Sequence, residues 1–196
     1  MTLHVNKRGV RVLGVAESFL KTAAQSRLAG VVMRKDLRID GFGLARISVG
    51  GDDATRGVLD IFEGLERSDI NALLLNGSII SWFNIIDLDL VRQETGLPVI
   101  SLTYEESPGI EGYIREYFPH PEDKIERYRR LGPRELLRLK TGFEVYARSL
   151  GATAEETKGL LSSFTLEGKV PEPLRVARLL ARSVLAEDLR KAKEDG

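Results

Sequence analysis

The run Ala72-Leu73-Leu74-Leu75, closed by Asn76-Gly77, decides how this chain is read. Four apolar residues without alternation suit a strand covered on both faces, as in a parallel sheet, and Asn-Gly is a turn pair that ends it. Upstream, Asp53 to Arg67 carries Val58, Ile61, Phe62 and Leu65 at helical spacing, with Asp52 or Asp53 placed to cap its start. Downstream, Asn84 to Thr95 reads as a second helix capped by Asn84, with Gly96 where a C-cap glycine belongs. Pro98 to Leu102 (PVISL) is the next strand. Strands alternating with helices imply parallel strands joined by right-handed crossovers.

Before the first helix come Arg11–Val15 (RVLGV), Leu28–Arg34 (LAGVVMR) and Leu37–Val49, short β-rich runs with turn signals at Asp40-Gly41 and Gly43. They read as an antiparallel three-strand meander leading into a parallel βαβαβ unit. This mixed α/β layout is that of the RNase H-like fold, among others. Beyond Gly109 the pattern predicts helices over Ile110–Phe118 and Asp123–Leu131. A hairpin across Thr141-Gly142 is expected to join Leu136–Leu139 to Phe143–Arg148. Thr153 and Glu156 form a capping box for a helix to Phe164, and Pro173 suits the first turn of a long final helix.

With 196 residues the chain is expected to form one domain, 1–196, with flanking helices around one sheet. Lys+Arg and Asp+Glu are both 29, so any nucleic-acid contact must come from a local basic patch. The absence of cysteine excludes disulfides, a thiolate nucleophile and cysteine-ligated zinc. No stretch has the length and apolarity of a membrane span or signal peptide, so no membrane partner and a cytoplasmic location are expected.

RVLGVAES (Arg11–Ser18), ISVGGDDAT (Ile47–Thr55), LLLNGSIISWFNIIDL (Leu73–Leu88), GLPVISL (Gly96–Leu102) and PEPLRVARLLA (Pro171–Ala181) resemble the archaeal endonuclease dU family. That group is related to endonuclease V, and the segments run in family order from end to end. The resemblance implies an RNase H-like nuclease core in which carboxylates on the first strand, and at the end of the strand after the first helix, hold Mg²⁺ or Mn²⁺. Such ions prefer hard oxygen ligands and stabilise the attacking and leaving oxygens of phosphodiester hydrolysis.

Several family positions are altered. Ala16 stands where the family has an aspartate two residues after the first-strand glycine, with Glu17 following. Asn76 replaces the acid of an Asp-Gly pair, Gly50 replaces an aspartate in the turn after the third strand, and Arg178 stands where relatives have a histidine. Asp53 and Asp87 match. Alanine has no donor and asparagine no charge to offset a dication. Glu17, Asp53, Asp87, Asn76 and Ala16 are therefore the candidate catalytic-cleft positions, and Glu17 and Asp53 the candidate metal ligands, with weak binding expected or none. Strand alternation directs Glu17 away from the face of residue 16. Asp53 equally suits a helix cap, and Asp87 the first turn of a helix.

Lys124 to Lys140 holds seven basic residues against two acids, with Tyr128 interleaved. Arg127, Arg129, Arg130 and Arg134 are its candidate phosphate contacts, against the alternative of a solvated helix face. Trp82, beside Phe83, is a candidate for base stacking or for core packing. Arg175, Arg178 and Arg182 share one helical face. His4 and His120 are given no role. The expected function is nucleic-acid binding, most readily of DNA, on an endonuclease V-like scaffold with activity weak or lost. The alternatives are an active Mg²⁺-dependent endonuclease on deaminated or damaged DNA, and a non-enzymatic protein-interaction subunit.

Overall fold

The computed structural model describes residues 9–194, so His4 lies outside the described residues. Strands β1 (Arg11–Ser18), β2 (Gln25–Arg34) and β3 (Ile39–Ser48) form the expected antiparallel meander, and helix α1 (Ala54–Gly64) follows. Next come β4 (Ala72–Leu75), the short β5 (Ile79–Ile80) and β6 (Asn84–Ile85), α2 (Leu88–Thr95) and β7 (Val99–Thr103). The chain continues through α3 (Glu111–Tyr117), α4 (Glu122–Arg130), β8 (Glu135–Arg138), β9 (Glu144–Leu150), α5 (Ala154–Phe164) and α6 (Glu172–Glu194).

The main sheet has the order β3-β2-β1-β4-β7-β9-β8, with β1, β4 and β7 parallel. β1 and β4 are central neighbours, Val12 to Val15 pairing with Ala72 to Leu75. The β8–β9 hairpin extends the sheet antiparallel to β7.

Alternation along the strands divides the core in two. Val12, Ala16, Leu74 and Ile100 pack toward α5 and α6, against Leu160, Phe164, Leu174 and Ala177. Leu13, Val15, Leu73, Leu75 and Val99 pack toward α1 and α2, against Val58, Ile61 and Val91. Each fully buried leucine or isoleucine contributes about 1.5–3 kcal/mol over its exposed state. The first turn of α6 lies directly on β1, where a Cβ at Gly14 would stand 2.7 Å from Pro173 Cβ. Only glycine lets α6 approach this closely. An ion pair from the buried Arg27 on β2 to the partly exposed Asp188 ties down the far half of α6.

One segment departs from its expected form. Asn84 does not cap a helix of 84–95. It lies in β6, fully buried, and α2 begins at Leu88 with Asp87 as its N-cap, accepting from the Leu90 N–H at 3.0 Å. Between β5 and β6 the chain turns through Ser81, Trp82 and Phe83, all three at positive φ (44°, 63° and 61°). Each left-handed non-glycine residue carries roughly 1–3 kcal/mol of strain, so surrounding contacts must hold this turn.

Candidate functional site

Parallel strands place their useful side chains at their carboxyl ends. One step beyond the paired Val15 and Leu75 stand Ala16 and Asn76, and one residue past β7 stands Tyr104. Ala16 is 2% exposed and packs into the core beneath α6. Asn76 is half-buried, and its Oδ1 accepts a hydrogen bond from the Tyr104 hydroxyl at 3.0 Å. Burial pushes the Tyr104 pKa well above that of an ordinary tyrosine, and the charges of Arg178 and then Arg175 oppose the rise. Lys169 Nζ donates to the Tyr104 carbonyl at 2.8 Å. Glu172 is paired with Arg175 at 3.3 Å.

Glu17 faces the other way, as alternation requires. The Ser81 hydroxyl donates to Glu17 Oε2 at 3.3 Å, and Ser81 Oγ also bonds Ser26 Oγ at 2.7 Å. Burial raises the Glu17 pKa above the usual carboxylate value. Hydrogen bonds from Ser81 and the nearby charge of Arg178 offset part of that rise. Arg178 therefore acts on Glu17 and Tyr104 together.

Gly50 explains a third altered position. Its φ is +73°, its N–H donates to the Ser81 carbonyl at 2.7 Å, and a Cβ there would meet Trp82 Cδ1 at 3.1 Å. An aspartate would be strained in this loop and crowd the indole.

Asp87 holds a helix, whereas Asp53 holds the loop that leads into one. Asp53 precedes α1 but does not cap it with its side chain. The Ser48 N–H reaches both carboxylate oxygens at 3.0 Å, and the Ser48 hydroxyl (2.9 Å) and Asn84 Nδ2 (2.7 Å) donate as well. Burial works to raise the Asp53 pKa, but hydrogen bonds from Asn84 and Ser48 outweigh it and leave the carboxyl below its ordinary value. Asn84 Oδ1 accepts from the first N–H of α1, at Ala54, at 2.9 Å, and so serves as that helix's cap from across the fold. Asp87 caps α2.

Trp82 packs against Phe83 and Tyr117, with centroids 5.1 and 4.9 Å away, and Lys21 Nζ lies 3.6 Å over its ring. Lys124, 6% exposed, staples the hairpin by donating to the carbonyls of Gly51 (3.0 Å) and Phe83 (3.1 Å) and pairing with Asp52 (2.7 Å).

The basic segment spans α4, a loop and β8, and its four candidate arginines have intramolecular partners. Arg127 pairs with Asp52 (2.6 Å), Arg129 with Glu111 (2.8 Å) and Arg130 with Glu126 (2.5 Å). Arg134 donates to Thr103 Oγ1 and to the carbonyls of Glu105 and Ser107. The Arg129 and Arg130 heads remain largely exposed, so only these two can exchange a carboxylate for a phosphate at small cost. Sequence reasoning missed Tyr104, Lys169 and Ser81. The first lies where the strand-end rule points; the others carry no local signal.

A family model described as endonuclease dU matches residues 8–185. A UPF0215 protein of Pyrobaculum calidifontis is 36% identical over 176 residues, covering 88% of this chain and 95% of its own. The fold is similar to that of an Archaeoglobus fulgidus protein of unknown function (TM-score 0.75, 24% identity, 89% of this chain and 98% of that one). It is also similar to Ciona intestinalis endonuclease V, solved in complex with a 24mer DNA containing an inosine (TM-score 0.59, 12% identity, 92% and 87% covered). The architecture is thus the RNase H-like one of endonuclease V, and the chain belongs to the endonuclease dU family.

Proposed function

We propose that this chain binds nucleic acid across the carboxyl ends of β1, β4 and β7, and that metal-assisted strand cleavage there is weak or lost. The observation that carries the reading is the donor set of the cleft. The divalent ion implied by the family needs several anionic oxygens converging on one point. Ala16 offers none. Asn76 offers one neutral oxygen already bonded to Tyr104, and Glu17 is turned toward Ser81. Arg178 brings a positive charge beside both Glu17 and Tyr104. Among the described residues no three Asp, Glu or His side chains form a metal-holding group. These residues do not fit Mg²⁺ or Mn²⁺.

The same geometry suits a polyanion. Arg175, Arg178 and Arg182 follow one face of α6, and Arg178 and Arg182 are exposed. Contacts run from Glu17 to Ser81, from Trp82 to Tyr117, and from Phe83 to Lys124. This arc combines cations with aromatic surface, as single-strand binding requires. Arg129 and Arg130 are candidate rim contacts, and Arg127 and Arg134 support the loops around them. DNA is the proposed partner, since the Ciona endonuclease V of the same fold was solved with DNA. No described helix is long and apolar enough to cross a membrane.

The test is fluorescence anisotropy of a labelled single strand containing deoxyuridine or deoxyinosine, titrated with the protein in Mg²⁺ and again in EDTA. Equal affinity in both supports the reading. Binding that disappears in EDTA would overturn it.

A further inference from the structure

A cavity of about 710 Å³ lies between α2, α4 and β9, and it shares no lining residue with the cleft of Asn76 and Tyr104. Arg148 lines it and is only 8% exposed. Its Nε donates to the Gly132 carbonyl at 2.9 Å and its Nη1 to Ser78 Oγ at 3.2 Å, both neutral acceptors. Among the described residues it has no carboxylate partner. Arginine cannot shed its proton in a protein, so a buried guanidinium without a counterion is costly. Arg134, also in the lining, bonds only neutral oxygens among the described residues and lies 5.0 Å from the Tyr146 ring centroid. Burial first, and then the charge of Arg134, lower the Arg148 pKa, so the two cations in this lining repel one another.

The acids of the lining do not relieve this. Asp87 is committed to the Leu90 N–H, and Asp89 and Glu135 are exposed. Arg127 and Arg130, the other lining cations, are paired with Asp52 and Glu126. Apart from Ser149, the remaining walls are apolar, with Leu88, Leu131, Pro133 and Leu150 among them. The space exceeds what an inorganic phosphate needs, and apolar walls with a few placed cations suit a base carrying a phosphate.

We propose that this cavity is an anion site for a mononucleotide, its phosphate held by Arg148 and Arg134 and its base against the apolar walls. A free nucleoside monophosphate and the phosphorylated end of a strand present the same chemistry. The site does not depend on the proposed role of the cleft.

Calorimetric titration of the full chain with uridine and adenosine monophosphates tests it, with the bare nucleosides as controls. The monophosphates are expected to bind at least about tenfold more tightly than the nucleosides, because charge-assisted contacts to phosphate are lost without it. Arg134→Gln should weaken binding by about tenfold or more, whereas Arg178→Gln, in the cleft, should leave it unchanged. Arg148→Gln should abolish it. If that variant does not fold, Arg134→Gln still decides the matter. Competition by a strand with a terminal phosphate, and not by one with a terminal hydroxyl, assigns the ligand to strand ends; competition by neither assigns it to the free nucleotide. Failure of the monophosphates to bind in the millimolar range, or unchanged binding by Arg134→Gln, would overturn the proposal.

Discussion

The Tyr104 hydroxyl donates to Asn76 Oδ1 at 3.0 Å, so the one oxygen that residue 76 could turn toward a cation is already engaged. An aspartate there would accept the same bond more strongly, because charge-assisted hydrogen bonds are about twice as strong as neutral ones. Asn76→Asp is therefore expected to fold with its midpoint of denaturant unfolding nearly unchanged. Ala16→Asp is different, since residue 16 is buried beneath α6. An unpaired carboxylate there should cost about 3 kcal/mol or more. Unfolding of the double variant with and without Mn²⁺ checks this: stability lost in EDTA should be partly recovered in metal. Loss that metal does not restore would mean that α6 has closed over the site.

Glu17 gives a pH test. Its pKa is raised in the folded protein, foremost by burial, so the native state holds its proton more tightly than the unfolded chain does. Stability contributed by the protonated form is present below the ordinary carboxylate pKa and lost as pH rises through the higher folded value. Glu17→Gln cannot ionise. Its stability relative to wild type should therefore improve as pH rises from mildly acidic to neutral. Denaturant unfolding across that range measures the difference, and a pH-independent difference would contradict the assigned shift.

The Asn84 clamp is predicted to carry a large share of local stability. Asn84→Ala removes the acceptor for the Ala54 N–H and the donor to Asp53 and to the Ser48 carbonyl. Leaving such buried groups unsatisfied costs about 1–3 kcal/mol each, so a loss of about 3 kcal/mol is expected in equilibrium unfolding. A loss under about 1 kcal/mol would show that water or a rearranged Asp53 replaces the side chain.

Much of this fold was readable in the residues. Ala72–Leu75 could only be a strand covered on both faces, and Gly96, Pro173 and the Thr153–Glu156 box marked helix ends that the structure keeps. The hairpin of β5 and β6 was not readable. Its turn uses three consecutive left-handed residues without a glycine, a conformation held by Gly50, Ser26 and Lys124 from elsewhere in the chain. Asn84 looked like a cap because it is one, but for α1 rather than for the helix that follows it. Arg148 was hidden by alternation. Val145 and Ala147 face the α5–α6 core, so alternation turns Arg148 to the opposite side, which a second layer covers too.

Trp82 is the only tryptophan in the chain, so intrinsic fluorescence reports on it alone. If a base stacks on its ring, single-stranded DNA should quench that emission. Trp82→Ala should weaken binding by about 1–3 kcal/mol, the usual contribution of one stacked base. Unaltered emission at saturating strand would assign the indole to packing on Phe83, Tyr117 and Lys21.

Strand cleavage measures whether a cleft so poor in anionic oxygens retains metal-dependent activity. A labelled strand containing deoxyinosine or deoxyuridine, incubated with excess protein and Mn²⁺ and resolved on a denaturing gel, is predicted to remain full length. Mn²⁺-dependent cleavage by the wild-type chain that vanishes in Glu17→Gln would show instead that Glu17 completes a working metal site despite Ala16, Asn76 and the charge of Arg178.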